Sequence, residues 1–171
     1  MNTTLTTAQA AAVGGLFGAF AVFGVILYIL LIIAGWRILR KAGEPGWKII
    51  IPIYGLYTLY KIVNMRAWFW ITFLLNCVLA VLTIAAQNDI NAYNAGTLSA
   101  SQSPLLIATV IFVFISAIFD FIVTIIYSYR LSKAFGHGIG FTIGLFFLPF
   151  IFQFVIAFSK DKYNKKAIAK D

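Results

Sequence analysis

Four long apolar blocks, residues 13–36, 67–86, 105–129 and 139–158, constrain this chain more than anything else in it. Each is at least 20 residues long, and about 20 helical residues cross the roughly 30 Å hydrocarbon core of a bilayer. About a quarter of a soluble domain is charged; here 11% of 171 residues are, against 62% hydrophobic. That is too little polar surface to coat a water-soluble core. The pattern specifies an all-α integral membrane protein, read as a single membrane domain over residues 1–171. With Cys77 as its one cysteine, the chain has neither a disulfide framework nor a Cys-based zinc cluster. Its net charge of +8 does not point to nucleic acid, because the basic residues lie between apolar blocks rather than along one face.

A fifth apolar stretch, residues 49–60, is too short to cross as a helix. It carries Pro52, Gly55 and the tyrosines Tyr54, Tyr57 and Tyr60, which favour an interfacial or re-entrant piece. The start of the chain lacks the basic region of a secretory leader, so block 13–36 reads as a retained anchor. Orientation follows from lysine and arginine. Arg37, Arg40, Lys41, Lys48, Lys61 and Arg66 follow the first block, Arg130 and Lys133 the third, and Lys160, Lys162, Lys165, Lys166 and Lys170 the fourth. The N-terminal segment and residues 87–104 have none. The positive-inside rule then puts the N-terminus outside and residues 37–66 inside. If 139–158 also crossed, five lysines of the tail 159–171 would lie outside, against the rule. A turn at Pro149 brings every basic residue inside. The expected architecture is three spans, 13–36, 67–86 and 105–129, with two Pro-bearing re-entrant or interfacial segments, 49–60 and 139–158. Four transmembrane helices are the alternative.

The two halves echo each other. Each reads as a helix, a basic stop, a Lys-Ala and glycine turn, and a Pro-broken apolar element, a form that parallel repeats take in some transporters. At the same residues, Lys41-Ala42-Gly43-x-x-Gly46-Trp47 with Ile51-Pro52-Ile53-Tyr54, then Lys133-Ala134-Phe135-Gly136-x-Gly138-x-Gly140-Phe141, Leu145-Phe146-Phe147-Leu148-Pro149-Phe150 and Lys162-Tyr163, the chain resembles a domain-of-unknown-function family of small bacterial integral membrane proteins. The resemblance covers about residues 33–163. It implies a bacterial inner-membrane protein of similar architecture and lends no catalytic or binding residues. It also implies asparagine where Gly55 stands, and an outer segment shorter than residues 87–104.

Asp120 is the sharpest candidate for chemistry. It lies ten residues before Arg130, about 15 Å along a helix and so near the bilayer midplane. A carboxylate there costs at least about 2.5–3.5 kcal/mol and marks an ion, proton or substrate path by default. Ser116, Asp120 and Thr124 recur every four residues, with Tyr127 three further on, as a polar stripe. In the second span Thr72, Asn76 and Thr83 form a fainter one, with Asn76 placed to face Asp120. Gln153 is the strongly polar side chain of the last block and could cap backbone freed by Pro149. Packing is the plainer reading of the second-span stripe, since interhelical polar bonds in membranes average about 0.6 kcal/mol; for Asp120 the alternative to a path is a protonated side chain or a packing bond to a neighbouring helix. Gly14-x-x-x-Gly18 is a close-approach motif expected to meet the chain's own second or third helix. His137 reads as a solvated loop residue, with too few companions to hold zinc, and Cys77 as a small buried residue.

No enzyme template is present, and general acid–base work would rest on Asp120 alone. No catalytic residue, metal or cofactor is therefore expected. The expected function is a channel- or transport-like role in an oligomer, through a path of Asp120, Ser116, Thr124, Asn76 and Gln153. The alternative is a non-catalytic accessory or scaffold protein that binds a partner membrane protein. The expected partners are the bilayer, anionic headgroups met by the basic tail, and either further copies of the chain or another membrane protein.

Overall fold

The computed structural model describes residues 7–97 and 103–168. The Ser-rich end of the outer segment and the last residues of the tail lie outside the described residues. Three long helices carry the fold: α1 (Thr7–Lys41), α3 (Arg66–Ala85) and α5 (Pro104–Ala134). Between them lie a 3-10 turn (Gly46–Ile50), α2 (Pro52–Ile62) and the short α4 (Gln87–Asn94). After them come α6 (Ile139–Phe147), α7 (Pro149–Phe158) and a 3-10 turn at Lys165–Ala167. There is no strand among the described residues. Gly18–Lys41, Arg66–Ala85 and Pro104–Ala134 are each long and apolar enough to cross a membrane.

The helices outrun the apolar blocks at their basic ends, because lysine and arginine are good helix formers and favour the C-terminal turn. What stops α1 and α5 is glycine. Gly43 and Gly136 take φ +80 and +79, a conformation that strains any residue with a Cβ. The N–H after each glycine reaches back five residues, Glu44 to Leu39 at 2.9 Å and His137 to Ser132 at 3.0 Å, closing the same C-terminal cap twice. At its other end α5 is capped by Ser103, whose hydroxyl accepts from the Leu106 N–H at 3.1 Å, with Pro104 as first helical residue. The outer segment read as a loop contains α4, and the Ser103 hydroxyl donates to Asp89 in it.

Both Pro-bearing segments turn back to the basic end. Glu44 precedes the first and Lys61 ends it, and they form an ion pair at 2.6 Å. His137 precedes the second and Asp161 follows it, 2.9 Å apart. A straight helix over 139–158 would hold those ends about 30 Å apart. The last block therefore returns, and the chain has three spanning helices rather than four. Pro52 and Pro149 are the first residues of α2 and α7, where a missing N–H is harmless. The core gathers at this basic end, around Leu39, Val63, Met65, Leu131 and Ile156, each 1% exposed or less. Gly55 stands where any side chain would collide: a Cβ would lie 2.9 Å from the Ile49 backbone. That contact accounts for glycine in place of the asparagine implied by the resemblance.

Two expectations are corrected. Gly18 has nothing within 4 Å, because α1 finds its partners, the first 3-10 turn and α7, at its basic end. Gly18 thus makes no close approach to another helix; the surroundings of Gly14 lie outside the described residues. Cys77 is exposed, on the apolar outer surface of α3 rather than in the core.

Two tests follow from the clasped segments. In a Cys77→Ser background reconstituted into sealed vesicles, Lys162→Cys and Lys48→Cys should react with an impermeant thiol reagent from one side, and Thr97→Cys from the other. Lys162→Cys reacting with Thr97→Cys would mean that 139–158 crosses. The second test is pH. Hydrogen bonds from Lys48 and then Lys61 hold Glu44 below the usual carboxylate range, and those from Ser159 and then His137 do so for Asp161. A carboxylate with a depressed folded pKa contributes stability above its unfolded pKa, and that stability is lost as pH falls through the folded value. The melting temperature in detergent should hold above about pH 5 and fall below about pH 4, with a shallower fall in Glu44→Gln. An unchanged slope in that variant would show that the clasp does not stabilise the fold.

Candidate functional site

The site is built where α3 and α5 pack together. The Asn76 side-chain amide donates to Asp120 Oδ2 at 3.3 Å and to the Thr72 carbonyl at 2.9 Å. The other carboxylate oxygen of Asp120, Oδ1, and the Thr72 hydroxyl are both buried and have no hydrogen-bond partner. Two polar atoms in one small region, shut away from solvent and unpaired, are costly to a fold. This pair is the most unusual feature of the membrane-embedded layer.

A tyrosine seam leads from this point towards the basic end. Burial, and then the charge of Asp120, push the Tyr60 hydroxyl up from its ordinary range. Tyr60, from α2, stacks obliquely on Tyr127 of α5 with ring centroids 5.1 Å apart. Tyr127 in turn lines a cavity of about 310 Å³ between α1, the first 3-10 turn, α2, α5 and α7. The cavity walls are mainly apolar, with Leu31, Ile49 and Leu59 among them, and its polar groups come from Tyr28, Tyr127 and Gln153. Polar groups thus gather in two places, Gln153, Tyr28 and Tyr127 at the cavity with Tyr60 stacked beside them, and Asp120, Asn76 and Thr72 between α3 and α5.

The structure brings Asn76 and Asp120 together, as their positions suggested. It separates the rest of the stripe. Four residues turn a helix by about 400°, so each step along i, i+4 drifts about 40° around the axis. Ser116 is accordingly buried, Asp120 half-buried and Thr124 exposed. The hydroxyls of Ser116 and Thr124 donate to carbonyls of their own helix, Val113 at 2.9 Å and Asp120 at 2.7 Å, which satisfies them without any partner. Gln153 belongs to the cavity and not to the Asp120 cluster. Nor does it cap the Pro149 break, since among the described residues no hydrogen bond joins its side chain to the backbone there. His137 is no free loop residue: besides Asp161 it stacks on Phe141 at 4.0 Å and 10°. The meeting of Tyr60 with Tyr127 has no signal in the sequence, because it depends on how α2 folds back. Among the described residues no group of three or more His, Cys, Asp or Glu side chains could hold a metal ion.

These features define a helical membrane protein with three candidate spans and two clasped hairpins. Residues 90–166 match the model of DUF5684, a family of unknown function. The match runs from α4 to the last 3-10 turn and takes in α5, α6 and α7; the similarly built α1, first 3-10 turn and α2 lie before it. The chain matches no curated protein and no solved structure.

Thr124→Val should leave the detergent melting temperature nearly unchanged, since its hydroxyl bonds only to its own helix. Asn76→Leu removes the one side-chain donor to Asp120 and should lower stability by about 0.6 kcal/mol or more. Equal effects of the two would place Asn76 outside the α3–α5 contact.

Proposed function

We propose that this protein is a small channel- or transport-like membrane protein, acting as an assembly of copies, with Asp120 as its titratable intramembrane site. The observation that carries this is the buried, unpartnered Oδ1 of Asp120 beside the unpartnered Thr72 hydroxyl. An unpartnered buried carboxylate oxygen gains from a proton or a small cation that would meet it. The tyrosine seam and the cavity supply polar groups between the site and the basic end. Asn76 and Thr124 are exposed and would face lipid in a lone chain; neighbouring copies would cover them and complete the path. The positive-inside rule orients the assembly with the N-terminus outside and the tail inside, in the inner membrane of a bacterium. No catalytic step, metal or cofactor enters this reading.

One observation favours a second reading. The Asn76–Asp120 bond joins two helices directly, so Asp120 could serve as packing glue in an accessory protein that binds a partner membrane protein. Asp120→Asn separates the two, since it keeps volume and hydrogen-bonding capacity but removes the titratable charge. On the transport reading the variant folds, and pH-dependent proton or cation flux in proteoliposomes falls sharply. On the accessory reading Asn behaves as wild type, while Asp120→Leu loosens the bundle. Absence of flux in wild type under every gradient tried, or normal flux in Asp120→Asn, would exclude Asp120 as a transport site.

A further inference from the structure

The charged residues at the end of α1 form a second site, independent of Asp120. Arg37, Arg40 and Lys41 line a groove of about 250 Å³ with Ala157 and Ser159. Lys41 is committed within it: its ammonium donates to the carbonyls of Ile156 at 2.5 Å and Ser159 at 2.7 Å, capping the end of α7. Arg37 and Arg40 are not so committed. No carboxylate lines the groove. Glu44, which lines the adjoining hollow with Arg40, is paired with Lys48 and Lys61, and Asp161 with His137. The two arginines, three residues apart on a helix, project to the same side. A guanidinium is planar and binds phosphate oxygens in pairs, so two of them on one side fit a phosphate group.

The surroundings say where that phosphate comes from. The Arg37 guanidinium lies 4.3 Å above the Phe158 ring, whose side chain is 55% exposed. Ile33, one turn further into the apolar part of α1, is 44% exposed. Trp36 and Trp47 line the adjoining hollow with Arg40, and tryptophan concentrates at headgroup level. The groove therefore opens at the line where apolar surface gives way to charge. Basic pockets between membrane helices at such a level take anionic headgroups.

We infer that Arg37 and Arg40 form a binding site for the phosphate of an anionic membrane lipid, whose acyl chain lies along Ile33 and Phe158. The site is distinct from the lysines of the tail, which lie beyond α7. Its charge is held in place by the Lys41 cap, so the site exists only when α7 is docked on α1.

The full-length protein, purified in detergent and titrated with phosphatidylglycerol or phosphatidylcholine, should retain phosphatidylglycerol preferentially by native mass spectrometry. Each arginine near the surface contributes about 1 kcal/mol, equivalent to about fivefold in affinity. Arg37→Gln/Arg40→Gln should thus weaken phosphatidylglycerol binding about thirtyfold, and Arg40→Gln alone about fivefold. Arg40 is exposed, so its single variant should keep the wild-type melting temperature without lipid and decides the matter if the double variant does not fold. Lys160→Gln/Lys162→Gln should retain the lipid. Equal retention of the two lipids, loss in the tail variant instead of Arg40→Gln, or displacement of the lipid by millimolar inorganic phosphate alone would overturn the inference, the last by making it a site for free phosphate.

Discussion

A helix that stops within or beside the hydrocarbon leaves carbonyls without donors, and water is too scarce there to supply them. In this chain one ammonium, that of Lys41, closes the end of α7 by meeting the Ile156 and Ser159 carbonyls. The Tyr163 hydroxyl does the same for Ile62 at the end of α2, at 2.5 Å, and the Asn164 N–H for Ala134 at the end of α5, at 2.7 Å. The ends of α2, α5 and α7 are thus satisfied by residues distant in sequence, all at the basic end. This explains why the core lies there, and why the tail, with Ile168 1% exposed, is folded onto the bundle rather than left in solvent.

The same constraint shapes both halves alike. α1 and α5 end on left-handed glycines with the same backward hydrogen bond. Each is followed by a helical turn or short helix and then a short helix that begins at a proline, and each segment is clasped at its base by a side-chain pair. The order of charges is reversed: an acid leads to a lysine in the first half, a histidine to an acid in the second. The cavity lies between the halves, with α1 and α2 contributing from one and Tyr127 and Gln153 from the other. In proteins built from parallel repeats, binding sites fall at the interface between the repeats. Tyr60 stacks on Tyr127 at that interface, so the arrangement of halves bears on the transport reading as well as the one carboxylate.

How much of this was legible depends on range. Apolar length gives four candidate spans, and basic residues together with Pro149 are enough to argue that 139–158 returns and leaves three. Both are local features, read directly from side-chain type. The clasps were not legible, because Glu44–Lys61 and His137–Asp161 are separated by a folded segment whose path must be known first. Periodicity correctly brought Asn76 to Asp120, but it overreached along the stripe: an i, i+4 series is only approximately one face, and Thr124 has drifted off it. Gln153 illustrates another limit, since a polar residue beside a proline can serve the break or a cavity and only packing decides.

The energetics of Asp120 press the functional question further. Its bond to Asn76 joins two helices, and such bonds average about 0.6 kcal/mol in membranes. An ionised carboxylate at that depth costs at least about 2.5–3.5 kcal/mol. The bond therefore cannot offset the charge, and asparagine would make an equivalent bond without it. Asp120 Oδ1 and the Thr72 hydroxyl remain buried without a hydrogen-bond partner, so the contact with Asn76 leaves polar atoms of this cluster unsatisfied. On the transport reading, what these atoms lack would come from a helix of a neighbouring copy, a proton or a small cation; on the accessory reading it would come from a helix of the partner.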